Sequence, residues 1–174
     1  MKKYNIAVVG ASGNVGREIL NILNFRSFPI QELHALASSK SEGQKIVYGD
    51  DKETVIKNLE KFDFKNVDVV FSSAGSEVSK KFIPKAVKSG AIIIDNTSCF
   101  RMHKDVPLII PEVNLEDLKN FKKKNIIANP NCSTIQMLVA LKPIHDRYKI
   151  LNINVSTYQA VSGSGKSGVD EPLQ

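Results

Sequence analysis

Short β-branched runs alternate with longer amphipathic stretches along this chain. Asn5-Ile6-Ala7-Val8-Val9, closed by Gly10, has the look of a buried strand, and Leu33-His34-Ala35-Leu36-Ala37 of a second. Val67-Asp68-Val69-Val70-Phe71, Ala91-Ile92-Ile93-Ile94-Asp95 and Asn125-Ile126-Ile127-Ala128 repeat the pattern. Between them, Val15 to Leu23 carries Ile19, Leu20, Ile22 and Leu23 at helical spacing. Ser76 to Lys88 predicts another helix, with Ser76 as N-cap and Gly90 just past its end. Strands separated by helices imply βαβ units, an α/β class and a doubly wound parallel sheet. Residues 40–62 are polar and predict an irregular loop with short strands, and residues 99–113, with Pro107 and Pro111, an extended loop.

The pattern changes after residue 130. A helix opens at Cys132, with Ile135, Leu138, Val139 and Leu141 on its apolar side, and runs to about Tyr148. Ile150 to Tyr158 then alternates: Ile153, Val155 and Thr157 against Asn152, Asn154 and Ser156. Alternation is the mark of a half-exposed strand in an antiparallel sheet, unlike the buried strands before it. The expected division is therefore residues 1–130 as one α/β domain and 131–174 as the start of a second, α+β domain.

Composition narrows the class. The chain has 174 residues, of which 42% are hydrophobic and 24% charged, enough for a core. No segment approaches the roughly 18 apolar residues of a membrane span, and the start lacks a secretory leader, so a cytoplasmic protein is expected. Two cysteines, Cys99 and Cys132, form neither a metal spacing nor a disulfide framework. The net charge of +6 is dispersed. Its one cluster, Lys122-Lys123-Lys124, follows a short polar helix without interleaved aromatics, so a nucleic-acid partner is not expected. Mild attraction of small anionic substrates is.

Several motifs carry chemistry. Gly10-Ala11-Ser12-Gly13-Asn14-Val15-Gly16 follows a strand and opens a helix, the context of a dinucleotide-binding turn with GxxGxxG spacing. There the backbone can approach a pyrophosphate lying at the helix N-terminus. About 20 residues on, the acidic residue that binds a ribose 2′-hydroxyl is missing. Ser38, Ser39, Lys40 and Ser41 stand there instead and would accept a 2′-phosphate, which predicts NADP over NAD. Ser73, Ala74 and Gly75 follow a later strand and belong to the same sheet edge. Arg101, after another strand end, could grip a phosphate or carboxylate through its planar fork. Asn129-Pro130-Asn131-Cys132-Ser133-Thr134 puts a thiol at a helix N-terminus, where free N–H groups and the dipole favour an anion. Asn129 and Asn131 offer amide donors and the turn offers backbone N–H groups for an oxyanion. A thiolate nucleophile beside a dinucleotide makes acyl-thioester chemistry with hydride transfer at the same carbon economical. Gln159 to Gly168 is glycine-rich, but it lacks the first glycine of a phosphate loop and is not read as an NTPase. It suits a loop over a substrate or nicotinamide. Cys99 reads as a small filler, and His34, His103 and His145 lie outside any catalytic motif.

These motifs resemble those of the bacterial aspartate-β-semialdehyde dehydrogenase family. The matching stretches are Gly10 to Gly16, Ser38 to Ser41, Asn96 to Arg101, Val106 to Asn114, Asn129 to Thr134 and Tyr158 to Gly163. The resemblance implies a Rossmann-like NADP-binding domain and reductive dephosphorylation of L-aspartyl-4-phosphate by NADPH, in lysine, threonine, methionine and diaminopimelate synthesis. It also implies a homodimer for the full-length enzyme. By it Cys132 is the nucleophile, Gln159 orients substrate and Arg101 binds phosphate. Ser12 to Val15, Lys40, Ser41, Ser162 and Gly163 would contact NADP. Where the family usually has arginine, Lys40 keeps the charge without the fork, which implies a softer NADP preference. Family enzymes continue well past residue 174, and their general-base histidine lies in that further part. The expectation is an N-terminal portion, inactive alone. N-acetyl-γ-glutamyl-phosphate reductase and a non-catalytic NADP-binding fragment are the alternatives.

Overall fold

A computed structural model describes residues 2–164. The expected glycines Gly165 and Gly168, and the rest of residues 165–174, lie outside the described residues. Seven strands form one sheet: β1 (Tyr4–Val9), β2 (Ile30–Ala37), β3 (Lys45–Tyr48), β4 (Lys52–Asn58), β5 (Val69–Ser72), β6 (Ile92–Asp95) and β7 (Ile126–Ala128). Their order is β3-β4-β2-β1-β5-β6-β7. All pairs are parallel except β3 with β4. The chain winds outward from β1 in both directions, so the switch point of this doubly wound sheet lies between β1 and β5.

Period-two alternation sends side chains to two cores. Ile6 and Val8 of β1 join Leu20 and Leu23 of helix α1 (Asn14–Phe25) on one face. Ala7 and Val9 join Phe82, Ile83 and Ala86 of helix α2 (Ser76–Lys88) on the other. Both inner faces are covered, which explains why these strands read as unbroken apolar runs.

Three expectations need correction, and the short strands expected within residues 40–62 are present. Residues 40–62 form a β-hairpin whose second strand, β4, joins the main sheet alongside β2. Its exposed edge keeps Lys45, Val47, Lys52 and Glu53 outside, so the segment reads as polar despite being sheet. The strand expected from Val67 begins at Val69, because Val67 is buried in the turn closed by its N–H to Phe64 O at 3.1 Å. Ser76 is the first residue of α2 rather than its cap. Gly75, at φ 89°, takes the capping position, and the Ser76 hydroxyl bonds Ser98 at 2.8 Å. Ile150 to Tyr158 is irregular and almost wholly exposed rather than a strand. Among the described residues no strand lies beside it, and an alternating pattern without a partner gains neither ladder bonds nor burial.

Residues 99–113 form the expected loop and end in the short helix α3 (Pro111–Asn114), followed by a 3-10 segment Leu115–Lys123. Helix α4 (Cys132–Tyr148) follows β7 and has no buried residue. Among the described residues no helix is long and apolar enough to cross a membrane.

Candidate functional site

Loops leaving the carboxyl ends of β1, β5, β6 and β7 share one edge of the sheet, the edge where open α/β sheets bind ligands. At the switch point the chain turns at Gly10 with φ 85°, a conformation closed to most side chains. A Cβ there would stand 2.9 Å from the backbone carbon of Ser73. Gly16 is tighter: a Cβ would overlap Gly10 O, so only glycine lets α1 close on the β1 turn. Gly13 occupies the N-cap of α1 without a side-chain cap, and no acidic residue stands in the first turn. The leading N–H groups of α1 are thus left for an anion. Ser73 completes the floor, with its hydroxyl donating to Val9 O at 2.9 Å.

A cavity of about 710 Å³ opens from this turn. Gly10, Ser12, Gly13, Ser38, Ser73 and Ala74 line it on the loop side. Its far wall was not foreseen. Leu59, Phe62 and Phe64 come from the segment after β4, and Val78, Lys81, Phe82 and Lys85 from α2. Phe64 stacks on Phe82 with ring centroids 5.7 Å apart, and both rings are buried in the core behind this wall. The spacing of Val78, Lys81, Phe82 and Lys85 is one helical stripe, a signal present in the sequence. Lys40 and Ser41 lie in the 3-10 turn Ser39–Ser41 beyond the end of β2. Lys40 is exposed there, and the cations lining the cavity are Lys81 and Lys85.

The second cluster surrounds Cys132. Asn131 caps α4, accepting from Thr134 N at 2.8 Å, and Cys132 stands exposed as the first helical residue. Of the two expected amide donors, that of Asn129 is engaged, whereas Asn131 Nδ2 makes no hydrogen bond among the described residues. Asn131 presents its oxygen to the helix, and the Asn129 side-chain amide donates to Asn96 Oδ1 at 2.6 Å. Arg101 is likewise occupied in part: Nε donates to Asn129 O at 2.9 Å and Nη2 to Asn96 O at 3.0 Å. Its Nη1 face remains for a ligand. Among the described residues no carboxylate pairs with it.

Beneath this cluster lies the fully buried carboxylate of Asp95. It accepts from Thr97 N at 3.1 Å and Thr97 Oγ1 at 3.0 Å, and Ser79 Oγ approaches at 3.5 Å. Ser79 in turn meets Ser72 at 2.7 Å. Sequence reading did not single out this network. Cys99, beside it, is half-buried. Burial first, and the Asp95 charge second, push its thiol above the ordinary range, in keeping with a filler rather than a nucleophile.

Gln159, Ser162 and Gly163 sit in an exposed tail ending in the 3-10 turn Val161–Ser164. Among the described residues no hydrogen bond joins them to Cys132 or to the glycine turn. His34 pairs with Lys57 at 3.2 Å, and the His103 Nδ1 accepts from Asp105 N at 3.2 Å. His145 lies in the last turn of α4. None of the three is hydrogen-bonded to Cys132 among the described residues.

Comparison with known proteins adds to this geometry. The semialdehyde dehydrogenase NAD binding domain matches residues 5–121, and the semialdehyde dehydrogenase dimerisation domain matches residues 141–174. A Rickettsia conorii aspartate-semialdehyde dehydrogenase is 55% identical over 98% of this chain and 50% of its own length. The crystal structure of Vibrio cholerae aspartate semialdehyde dehydrogenase II complexed with ASA superimposes with a TM-score of 0.94 at 50% identity, covering 98% of this chain and 50% of that one. A Candida albicans aspartate semialdehyde dehydrogenase with NADP aligns with a TM-score of 0.69 at 26% identity, over 86% of this chain and 48% of that one. The chain spans about half the length of the curated relatives it matches.

Proposed function

The chain belongs to the semialdehyde dehydrogenase family, and from that premise we propose that it supplies the NADP site and the nucleophile for reductive dephosphorylation of L-aspartyl-4-phosphate to the semialdehyde. The observation that carries the reading is the exposed Cys132 thiol at the start of α4, on the same sheet edge as the glycine turn.

The residues fit a dinucleotide. The cradle at Gly10 and Gly16 has no room for a Cβ, the uncapped start of α1 suits a pyrophosphate, and the apolar wall of Leu59, Phe62 and Val78 suits an adenine. Ser38, Lys40 and Ser41 stay as the proposed 2′-phosphate contacts, with Lys81 and Lys85 at the cavity rim. Ser73, Ala74 and Gly75 would border the cofactor, as would Ser162 and Gly163. When bound, NADPH supplies the hydride. Cys132 Sγ attacks the acyl carbon of the substrate, the carbon–oxygen bond to phosphate breaks, and a thioester on Cys132 results. Arg101 holds the departing phosphate through its free Nη1 face. Asn131 Nδ2 and the backbone N–H groups of the α4 turn are the donors for the oxyanion. Gln159 orients the substrate. The boundary near residue 130, a homodimer for the full-length enzyme and a cytoplasmic location belong to the same proposal.

The test uses the chain itself. NADPH fluorescence should report binding, and mass spectrometry should find an aspartyl adduct on Cys132 after exposure to aspartyl phosphate. Cys132→Ser should lose the adduct and keep NADPH binding. A chain that binds no NADPH, or that is acylated anywhere but Cys132, refutes the reading. Faster acylation by N-acetylglutamyl phosphate would redirect the substrate assignment.

A further inference from the structure

We propose that Asn96 is a positioning residue, whose amide pair with Asn129 holds the turn bearing Cys132 in register with Arg101. The proposal rests on the reading of Cys132 as nucleophile and Arg101 as anion contact.

Strands β6 and β7 run parallel and end as neighbours at Asp95 and Ala128. Their last shared bond, Asn129 N to Asp95 O at 2.8 Å, closes the ladder. Beyond it the two segments would be free to diverge. Three bonds prevent this: Asn129 Nδ2 to Asn96 Oδ1, Arg101 Nε to Asn129 O, and Arg101 Nη2 to Asn96 O. They form a closed ring. Asn129 commits its backbone N–H, its carbonyl and its side-chain amide to the other segment, so it cannot shift alone. From Asn129 the chain reaches Cys132 through buried Pro130, whose ring fixes φ, and the capped Asn131. A displacement of Asn129 is therefore passed on to Sγ.

Asn96 reaches a third segment as well. Its backbone N–H donates to Ser72 O at 2.9 Å, and Ser73, the next residue, abuts Gly10. One residue thus ties the thiol turn to the dinucleotide turn, as a hydride-transfer site requires of its two halves.

The test measures Cys132 alkylation by anionic iodoacetate and neutral iodoacetamide, in a Cys99→Ser background that leaves one thiol. Relative to a small free thiol, the iodoacetate-to-iodoacetamide rate ratio should be raised about fivefold by a nearby partly screened cation. Arg101→Gln should abolish that preference. Asn96→Ala, Asn129→Ala and the double variant should each lower it to one common value, because all three break the same bond. Loss of stability alone moves both rates together and leaves the ratio unchanged. Asn96→Ser is read the same way should Asn96→Ala not fold. Retention of the full ratio in Asn96→Ala while Arg101→Gln loses it overturns the positioning role and leaves the anion reading standing. Independent effects in the double variant also overturn it. An unchanged ratio in Arg101→Gln overturns both.

Discussion

Gly16→Ala is the sharpest perturbation of the dinucleotide turn. Gly16 is buried in the first turn of α1, and a Cβ there would overlap Gly10 O and approach the Ala11 Cα and Gly10 carbonyl carbon at 2.7 Å. All of these are backbone atoms and cannot rotate aside. Relief requires moving α1, which carries Leu20 and Leu23 into the core. Overpacking of this kind costs about 1–3 kcal/mol, and rigid neighbours put this site at the upper end. Alanine in place of glycine returns about 1 kcal/mol of helix propensity. The net loss is about 2 kcal/mol, a fall in melting temperature of roughly 4–8 °C for a chain of this size. Gly13→Ala is the control. Its Cβ would meet nothing closer than Gly10 O at 3.4 Å, in ordinary backbone at φ −82°, so its cost should stay under about 1 kcal/mol. Thermal melts followed by circular dichroism, with NADPH fluorescence titration of each variant, read both effects. Gly16→Ala as stable as the parent, or Gly13→Ala the more damaging of the two, would refute the steric argument.

Three further outcomes are expected. At pH 8 iodoacetamide should label exposed Cys132 at least about tenfold faster than Cys99, whose thiol is pushed up by burial and by Asp95; peptide mapping that finds Cys99 labelled first contradicts this. Lys81→Ala with Lys85→Ala should weaken binding of 2′,5′-ADP more than tenfold at low salt, with the difference shrinking as salt rises; calorimetry giving equal affinity would remove both lysines from the site. Burial, and then the Lys57 charge, lower His34 below its ordinary value of 6.5 against the opposing Glu32, so the unfolded chain binds that proton more readily. His34 therefore costs no stability above pH 6.5 and lowers it as pH falls through 6.5 towards the depressed value. The melting temperature should drop less steeply between pH 7 and 5 in His34→Gln, and parallel curves would sink the assignment.

The central strands were readable because burial on both faces leaves a run such as Ile6-Ala7-Val8-Val9 no alternative environment. The end of helix α2 was placed at Lys88 because its apolar stripe and Gly90 agree on it, whereas its cap is Gly75 rather than Ser76. Short strands were expected in residues 40–62, but the pairing of β3 with β4 and of β4 with β2 was not readable, because half of each strand faces solvent and its charged residues mask the alternation. The stretch from Ile150 shows the converse. Its alternation is real, but alternation specifies only which face a strand would bury, and pairing depends on a partner that the local pattern does not contain.

The candidate site divides along a similar line. Residues that need a special backbone announce themselves, since Gly10 and Gly16 are glycine for steric reasons and Asn131 caps a helix within three residues. Residues that act through distant partners do not. Asn96 and Asn129 are 33 positions apart, and Ser79 and Asp95 are 16. Arg101 was legible as a cation near a strand end, but not as a cross-brace with two of its donors spent on backbone carbonyls. That difference changes what a substitution at Arg101 means. Arg101→Lys would keep a charge for a phosphate and lose the planar edge that spans Asn96 O and Asn129 O. It should therefore disturb the position of Cys132 as well as the anion site, whereas loss of charge alone would leave the thiol turn where it is.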